Sequence, residues 1–82
     1  MLDLKLYYMK TCPFCQRVLD YLAQSNISVP LKDINDSVEN RKELIDIGGK
    51  AQVPCLVIDG KALYESLDII EWFKNHPETK AS

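Results

Sequence analysis

Eighty-two residues, 46% hydrophobic and 27% charged with 3 glycines and 4 prolines, suffice for one small core and exclude a disordered or collagen-like chain. A formal charge of -2 leaves no basic face for a phosphate backbone, and no apolar run reaches the length of a membrane span, so neither nucleic acid nor membrane is an expected partner. Asp3 and Lys5 interrupt the N-terminal leucines and leave no secretory signal, so the expectation is a cytoplasmic monomer: one domain over residues 1–82, with a polar tail from about Pro77.

From Leu2 to Tyr8, β-forming residues alternate with Asp3 and Lys5 and predict a strand that runs into Cys12-Pro13-Phe14-Cys15. Pro13 suits the first position of a helix, and Phe14, Val18, Leu19, Tyr21 and Leu22 continue at helical spacing to about Gln24. Ser25-Asn26 breaks that helix. Ile27, Val29 and Leu31, alternating with Ser28, Pro30 and Lys32, then predict a second strand, placed at a sheet edge by Pro30. Strand, helix, strand implies a right-handed parallel crossover.

Asp36 followed by Glu39 has the spacing of a capping box, Val38, Leu44, Ile45 and Ile47 supply an apolar stripe, and Gly48-Gly49 ends this second helix. Val53 to Ile58 reads as a strand buried on both faces, and Asp59-Gly60 as a two-residue hairpin turn into a strand from Lys61 to Tyr64. Ser66 is expected to cap a last helix running to Asn75, packed through Leu67, Ile69, Ile70, Trp72 and Phe73. The order βαβ-α-ββα predicts a four-stranded mixed sheet flanked by helices.

Three cysteines, two of them three positions apart, do not make a disulfide framework; a close pair in a reducing compartment points to reversible redox chemistry or to metal. A strand that delivers Cys12 to a helix start sets its sulfur beside unpaired N–H groups and the positive end of the helix dipole, which favour the thiolate, the nucleophilic form. Lys10 adds a positive charge nearby. Cys15, one turn on, is drawn toward the interior and reads as the resolving thiol. Two other readings remain open: a pair of buried structural thiols, and zinc, for which only Cys55 and His76 remain as further ligands at no finger-like spacing. No metal is expected. Cys55, in an apolar strand, reads as an inert buried thiol, and His76 as a residue closing the last helix.

Leu6-Tyr7, Cys12-Pro13-Phe14-Cys15, Val53-Pro54, Asp59-Gly60 and Glu65-Ser66, in this order, resemble the glutaredoxin family of the thioredoxin-like superfamily over Leu4 to Phe73. Cys12-Pro13-Phe14-Cys15-Gln16-Arg17-Val18 with Glu65-Ser66-Leu67-Asp68-Ile69 is also similar to the N-terminal domains of thiol-type glutathione transferases. The resemblance implies a glutathione-dependent thiol–disulfide oxidoreductase with Cys12 attacking, Cys15 resolving, and Pro54 as the superfamily's cis-proline. It implies glutathione as reductant and co-substrate, held by Phe14, by the backbone of Val53, by Glu65 and Ser66 at the γ-glutamyl end, and by Arg41 and Lys10 at the glycyl carboxylate. Its partners would be glutathionylated or disulfide-containing proteins. Without the resemblance, Arg41 and Lys10 are ordinary solvated residues, and Glu65-Ser66 is only a helix cap.

Several positions depart from the glutaredoxin pattern. Phe14 stands where Tyr is usual, Gln52 where Thr precedes Val-Pro, and Tyr64-Glu65 where Gly-Gly is customary, which points to a transferase-like γ-glutamyl site. Two rival functions follow from the same residues. One is a thioredoxin-like donor recharged by a flavoprotein reductase, against which Arg41, Glu65 and Ser66 argue. The other is a glutathione-ligated iron–sulfur carrier, which Pro13 disfavours.

Overall fold

The computed structural model describes residues 3–79. In chain order it contains β1 (Leu4–Tyr8), α1 (Pro13–Gln24), β2 (Leu31–Asp33), α2 (Val38–Gly48), β3 (Cys55–Ile58), β4 (Lys61–Tyr64), α3 (Ser66–Lys74) and a closing 3-10 turn (Pro77–Thr79). The four strands form one sheet in the order β2-β1-β3-β4, with β1 and β2 parallel and the other pairs antiparallel. This is the mixed sheet that the element order predicts.

Alternation along β1 builds a core on each face. Leu6 packs with Val18 and Leu22 of α1, Leu56 of β3 and Ile69 and Phe73 of α3, whereas Tyr7, one residue on, packs with Leu44 of α2, Ile34, Cys55 and Val57. Each buried side chain of this size contributes roughly 1.5–3 kcal/mol. The central strand β3 is apolar on both sides, as its unbroken run requires. Asp59 and Gly60, at φ 50° and 85°, make the β3–β4 turn, and the Asp59 carboxylate accepts the Asp3 N–H at 2.7 Å. α2 ends with Gly49 at φ 82°. Gly48 lies so close to Tyr64 of β4 that a Cβ there would overlap the phenol hydroxyl.

Five expectations need correction. The third strand is Cys55–Ile58, not Val53–Ile58: Val53 and Pro54 form a bend ahead of it, and Pro54 has no N–H to give a ladder. The second strand is Leu31–Asp33, beginning after Pro30; Ile27 forms only an isolated bridge, and its N–H closes back onto the Leu22 carbonyl. Ile27 and Val29 do pack on the core beneath α1, so their alternation reports burial, while Pro30, which has no N–H, offers its carbonyl to Leu6 at 2.9 Å. The cap of α2 is Ser37, whose hydroxyl accepts the Asn40 N–H at 3.2 Å, while the Asp36 carboxylate pairs with Lys10. Of the apolar stripe on α2 only Leu44 is buried; Val38, Ile45 and Ile47 are exposed. Ser66 is the first residue of α3, not its cap. Glu65 holds the cap position without a side-chain bond, and Leu67 points to solvent. The predicted start at Leu2 and the end of the polar tail beyond Thr79 lie outside the described residues.

Candidate functional site

β1 leads straight into Cys12, which caps α1 with extended backbone while Pro13 takes the first helical position. The Cys15 N–H donates to Cys12 Sγ at 3.3 Å, and the first turn of α1 carries no acidic residue. A donor aimed at the sulfur and a helix N-terminus without opposing charge both favour negative charge there. Cys12 is partly exposed and Cys15 is completely buried, both as free thiols. Burial pushes the Cys15 thiol up to about 12, and its bond to Cys12, together with the charges of Cys12 and Asp33, acts in the same direction. One thiol is thus open to attack a partner, and the other is kept protonated beneath it.

Beside this turn lies a groove of about 560 Å³. Phe14 and Arg17 of α1 form one wall, with the Arg17 guanidinium 5.8 Å from the Phe14 ring centroid. Gln52, Val53 and the buried Pro54 form a second, and the Val53–Pro54 peptide is cis. Glu65, Ser66, Leu67 and Asp68 at the start of α3 complete it. Glu65 sits at φ 72°, a left-handed conformation that a non-glycine residue adopts at a cost of about 1–3 kcal/mol. Gln52 donates its side-chain amide to Glu65 Oε1 at 3.4 Å. With no side chain capping α3, its first amides remain available to an anion.

The groove therefore gathers Phe14, Val53, Pro54, Glu65 and Ser66, all expected in the site. Lys10 and Arg41 do not line it. Lys10 Nζ pairs with Asp36 Oδ2 at 3.3 Å, a contact that raises the Lys10 pKa, and Arg41 is exposed on α2. The groove also includes Arg17, Gln52, Leu67 and Asp68, which residue-level reading did not assign. Each lies within three positions of an assigned residue: Arg17 one helical turn after Phe14, Gln52 before Val53, and Leu67-Asp68 in the turn that Ser66 opens. Cys55 is buried among the residues beneath α2, and burial pushes its thiol up to about 11. His76 closes α3, with Nδ1 2.7 Å from the Trp72 carbonyl and its ring stacked on the Trp72 indole. Among the described residues no three His, Cys, Asp or Glu gather as a metal site, and no helix is long and apolar enough to cross a membrane.

A thioredoxin-like sheet that presents a Cys-Pro-Phe-Cys turn beside a cis-proline defines a class, the thioredoxin-fold thiol oxidoreductases. The family of the glutathione S-transferase N-terminal domain matches residues 6–81. A glutaredoxin-like 8.6 kDa protein of the rubredoxin operon in Clostridium pasteurianum is 30% identical over 73% of this chain and 80% of its own length. Glutaredoxin 3 of Escherichia coli is 30% identical over 74% of each chain. Glutathione transferase Omega 3C from Trametes versicolor superposes with a TM-score of 0.80 at 35% identity, covering 96% of this chain and 36% of the transferase, so the chain spans about a third of that protein. The chain belongs to the glutathione S-transferase N-terminal-domain family and, with its glutaredoxin relatives, to the thiol oxidoreductases of the thioredoxin fold.

Proposed function

We propose that the protein is a glutathione-dependent thiol–disulfide oxidoreductase that reduces protein–glutathione mixed disulfides and small disulfides. The observation that carries this reading is the juxtaposition of a partly exposed helix-capping thiol, Cys12, with a groove bearing an uncapped helix N-terminus and carboxylates at Glu65 and Asp68. A γ-glutamyl group carries both charges that such a groove can meet. Its carboxylate fits the amides and hydroxyl of Ser66, and its ammonium fits the acidic side chains. Val53, adjoining Pro54, offers backbone to the cysteinyl portion in the manner of an added strand. Lys10 and Arg41 are the candidates for the glycyl carboxylate, with Lys10 leaving Asp36 to reach it.

In the reaction, the Cys12 thiolate attacks the glutathionyl sulfur of a mixed disulfide, the protein thiol leaves, and glutathione is left disulfide-bonded to Cys12. A second glutathione, or Cys15, then attacks and releases it. For the monothiol route Cys12 alone suffices. The purified protein is expected to reduce a glutathionylated peptide with glutathione as the electron source. Cys12→Ser should abolish turnover and Cys15→Ser should retain it. Loss of turnover in the Cys15 variant alone, or faster reduction by a flavoprotein thioredoxin reductase than by glutathione, would overturn the reading.

A further inference from the structure

Phe14 and Leu67 are 56% and 64% exposed, the one on the α1 wall of the groove and the other on its α3 wall. Large apolar side chains this open, on both sides of one groove, have nothing to offer a charged γ-glutamyl group and suit an apolar group arriving from outside. Arg17 adds a charge of its own. It lies one helical turn after Phe14 on the same face of α1, and its guanidinium sits 5.8 Å from the ring centroid, an arrangement that leaves its N–H donors free for an acceptor. Arg17 is exposed, and the one ion pair among the described residues is Lys10–Asp36, so no carboxylate among them neutralises it. The first turn of α1 carries no acidic residue, and Asp20, further along, accepts the Gln16 amide at 2.8 Å. Lys10 is held by Asp36. Arg17 is thus the unpaired cation on the helix that Cys12 caps.

Glutathione, placed as proposed above, does not use these groups. Its γ-glutamyl carboxylate and ammonium take Ser66, Glu65 and Asp68, and its cysteinyl portion takes the backbone of Val53, which leaves Arg17 and Leu67 without a part and Phe14 more than half open. The protein half of the mixed disulfide, the half that leaves as a thiol, is the one component of the reaction that glutathione's own contacts do not hold.

We infer that Phe14, Arg17 and Leu67 select the partner protein, favouring glutathionylated segments that carry an apolar residue and an acidic residue next to the modified cysteine. The apolar side chain enters between Phe14 and Leu67, and the neighbouring carboxylate pairs with the Arg17 guanidinium. Both contacts are made to the protein half, and both are given up when its thiol leaves and glutathione stays on Cys12. The chain's formal charge of -2 repels an acidic segment at a distance, so Arg17 supplies local complementarity against the overall charge and decides which partners are taken.

This assignment rests on the proposed reduction of glutathione mixed disulfides. The test follows turnover of three of them by the full chain: a peptide with leucine and glutamate beside its cysteine, the same peptide with lysine for glutamate, and 2-mercaptoethanol, which offers neither group. At low ionic strength kcat/KM for the glutamate peptide should exceed that for the lysine peptide by at least about fivefold, and the ratio should fall toward one in about 0.5 M salt as the contact is screened. Arg17→Gln should bring the ratio close to one, and Arg17→Glu should invert it. Serine in place of the peptide's leucine should lower kcat/KM by at least about threefold with the unaltered protein and by less than about 1.5-fold with Leu67→Ser. A ratio near one in the unaltered protein, or a ratio that survives Arg17→Glu, would overturn the assignment. So would an equal loss with all three substrates in that variant, which would mean that Arg17 serves glutathione. Should the Arg17 variants not fold, the peptide ratio of the unaltered protein and its salt dependence decide. No turnover even of the 2-mercaptoethanol disulfide would bring down the proposed reaction and this assignment with it, whereas turnover there with a peptide ratio near one overturns this assignment alone.

Discussion

Cys12 and Cys55 are chemically the same side chain on opposite sides of one small sheet, and the fold gives them opposite properties. Cys12 caps α1, accepts a backbone N–H and opens to solvent beside the groove. Cys55 opens β3, is wholly buried between Tyr7 and Tyr64 beneath α2, and titrates only under strongly alkaline conditions. Cysteine chemistry here follows access and local dipoles, not cysteine content. The face carrying α1 and α3 holds the accessible thiol and the groove, and the face carrying α2 holds a closed core.

The comparison breaks most sharply by exchanging the thiols' fates. Where Cys12→Ser should remove turnover, Cys55→Ala should change it by less than about twofold, its cost appearing in stability as a lost buried contact of about 1–3 kcal/mol. A Cys55→Ala variant without activity would mean that the α2 face takes part in catalysis.

A smaller effect is expected at Glu65, where the active face stores backbone strain. Glu65→Gly should relieve the φ 72° conformation and leave the fold as stable or up to about 1–3 kcal/mol more so, while raising the KM for glutathione severalfold. Denaturant melts and steady-state kinetics on the same preparation check both. Lower stability together with an unchanged KM would show that Glu65 serves the fold.

The smallest effect is in pH dependence. The buried thiol of Cys55 moves from 9.0 in an unfolded chain to about 11 in the fold, and the Tyr7 phenol, buried and bonded to Glu43, from 10.0 to about 12. Both shifts favour the protonated forms, so the stability they contribute is intact below about pH 9 and is lost as pH rises through 11 and 12. Unfolding midpoints should hold steady from neutrality to about pH 9 and then fall, and Cys55→Ala should soften the first part of that fall. A midpoint that rises above pH 9 would contradict the burial of these groups.

The sequence was most legible where one residue dictates its own local geometry. Pro13 after Cys12 marked the helix start, Asp59-Gly60 marked the hairpin, and unbroken apolarity marked β3. It was less legible where pattern and pairing diverge. Ile27 and Val29 alternate because they face a core, yet the ladder begins only after Pro30. Asp36 and Glu39 have capping-box spacing, but Ser37 offers the nearer hydroxyl and Asp36 is taken by Lys10, a partner 26 positions away. Val38, Ile45 and Ile47 look like a core stripe, although with Leu44 buried their helix turns them outward. Cys12 and Cys15 could be read from their own strand–helix setting, whereas Phe14, Val53, Pro54, Glu65 and Ser66 were legible only through the resemblance to a known family. Arg17 and Asp68 enter the groove only because α1 and α3 pack side by side, and Gln52 only because the loop before β3 is folded against the start of α3.

The account stands on Cys12 being the one thiol that glutathione can reach. Oxidised glutathione added to the Cys15→Ser variant, followed by proteolysis and mass spectrometry of the cysteine peptides, tests this directly. A single glutathionyl adduct on Cys12, with Cys55 unmodified until the fold is denatured, is the predicted result; an adduct on native Cys55, or none on Cys12, would contradict it.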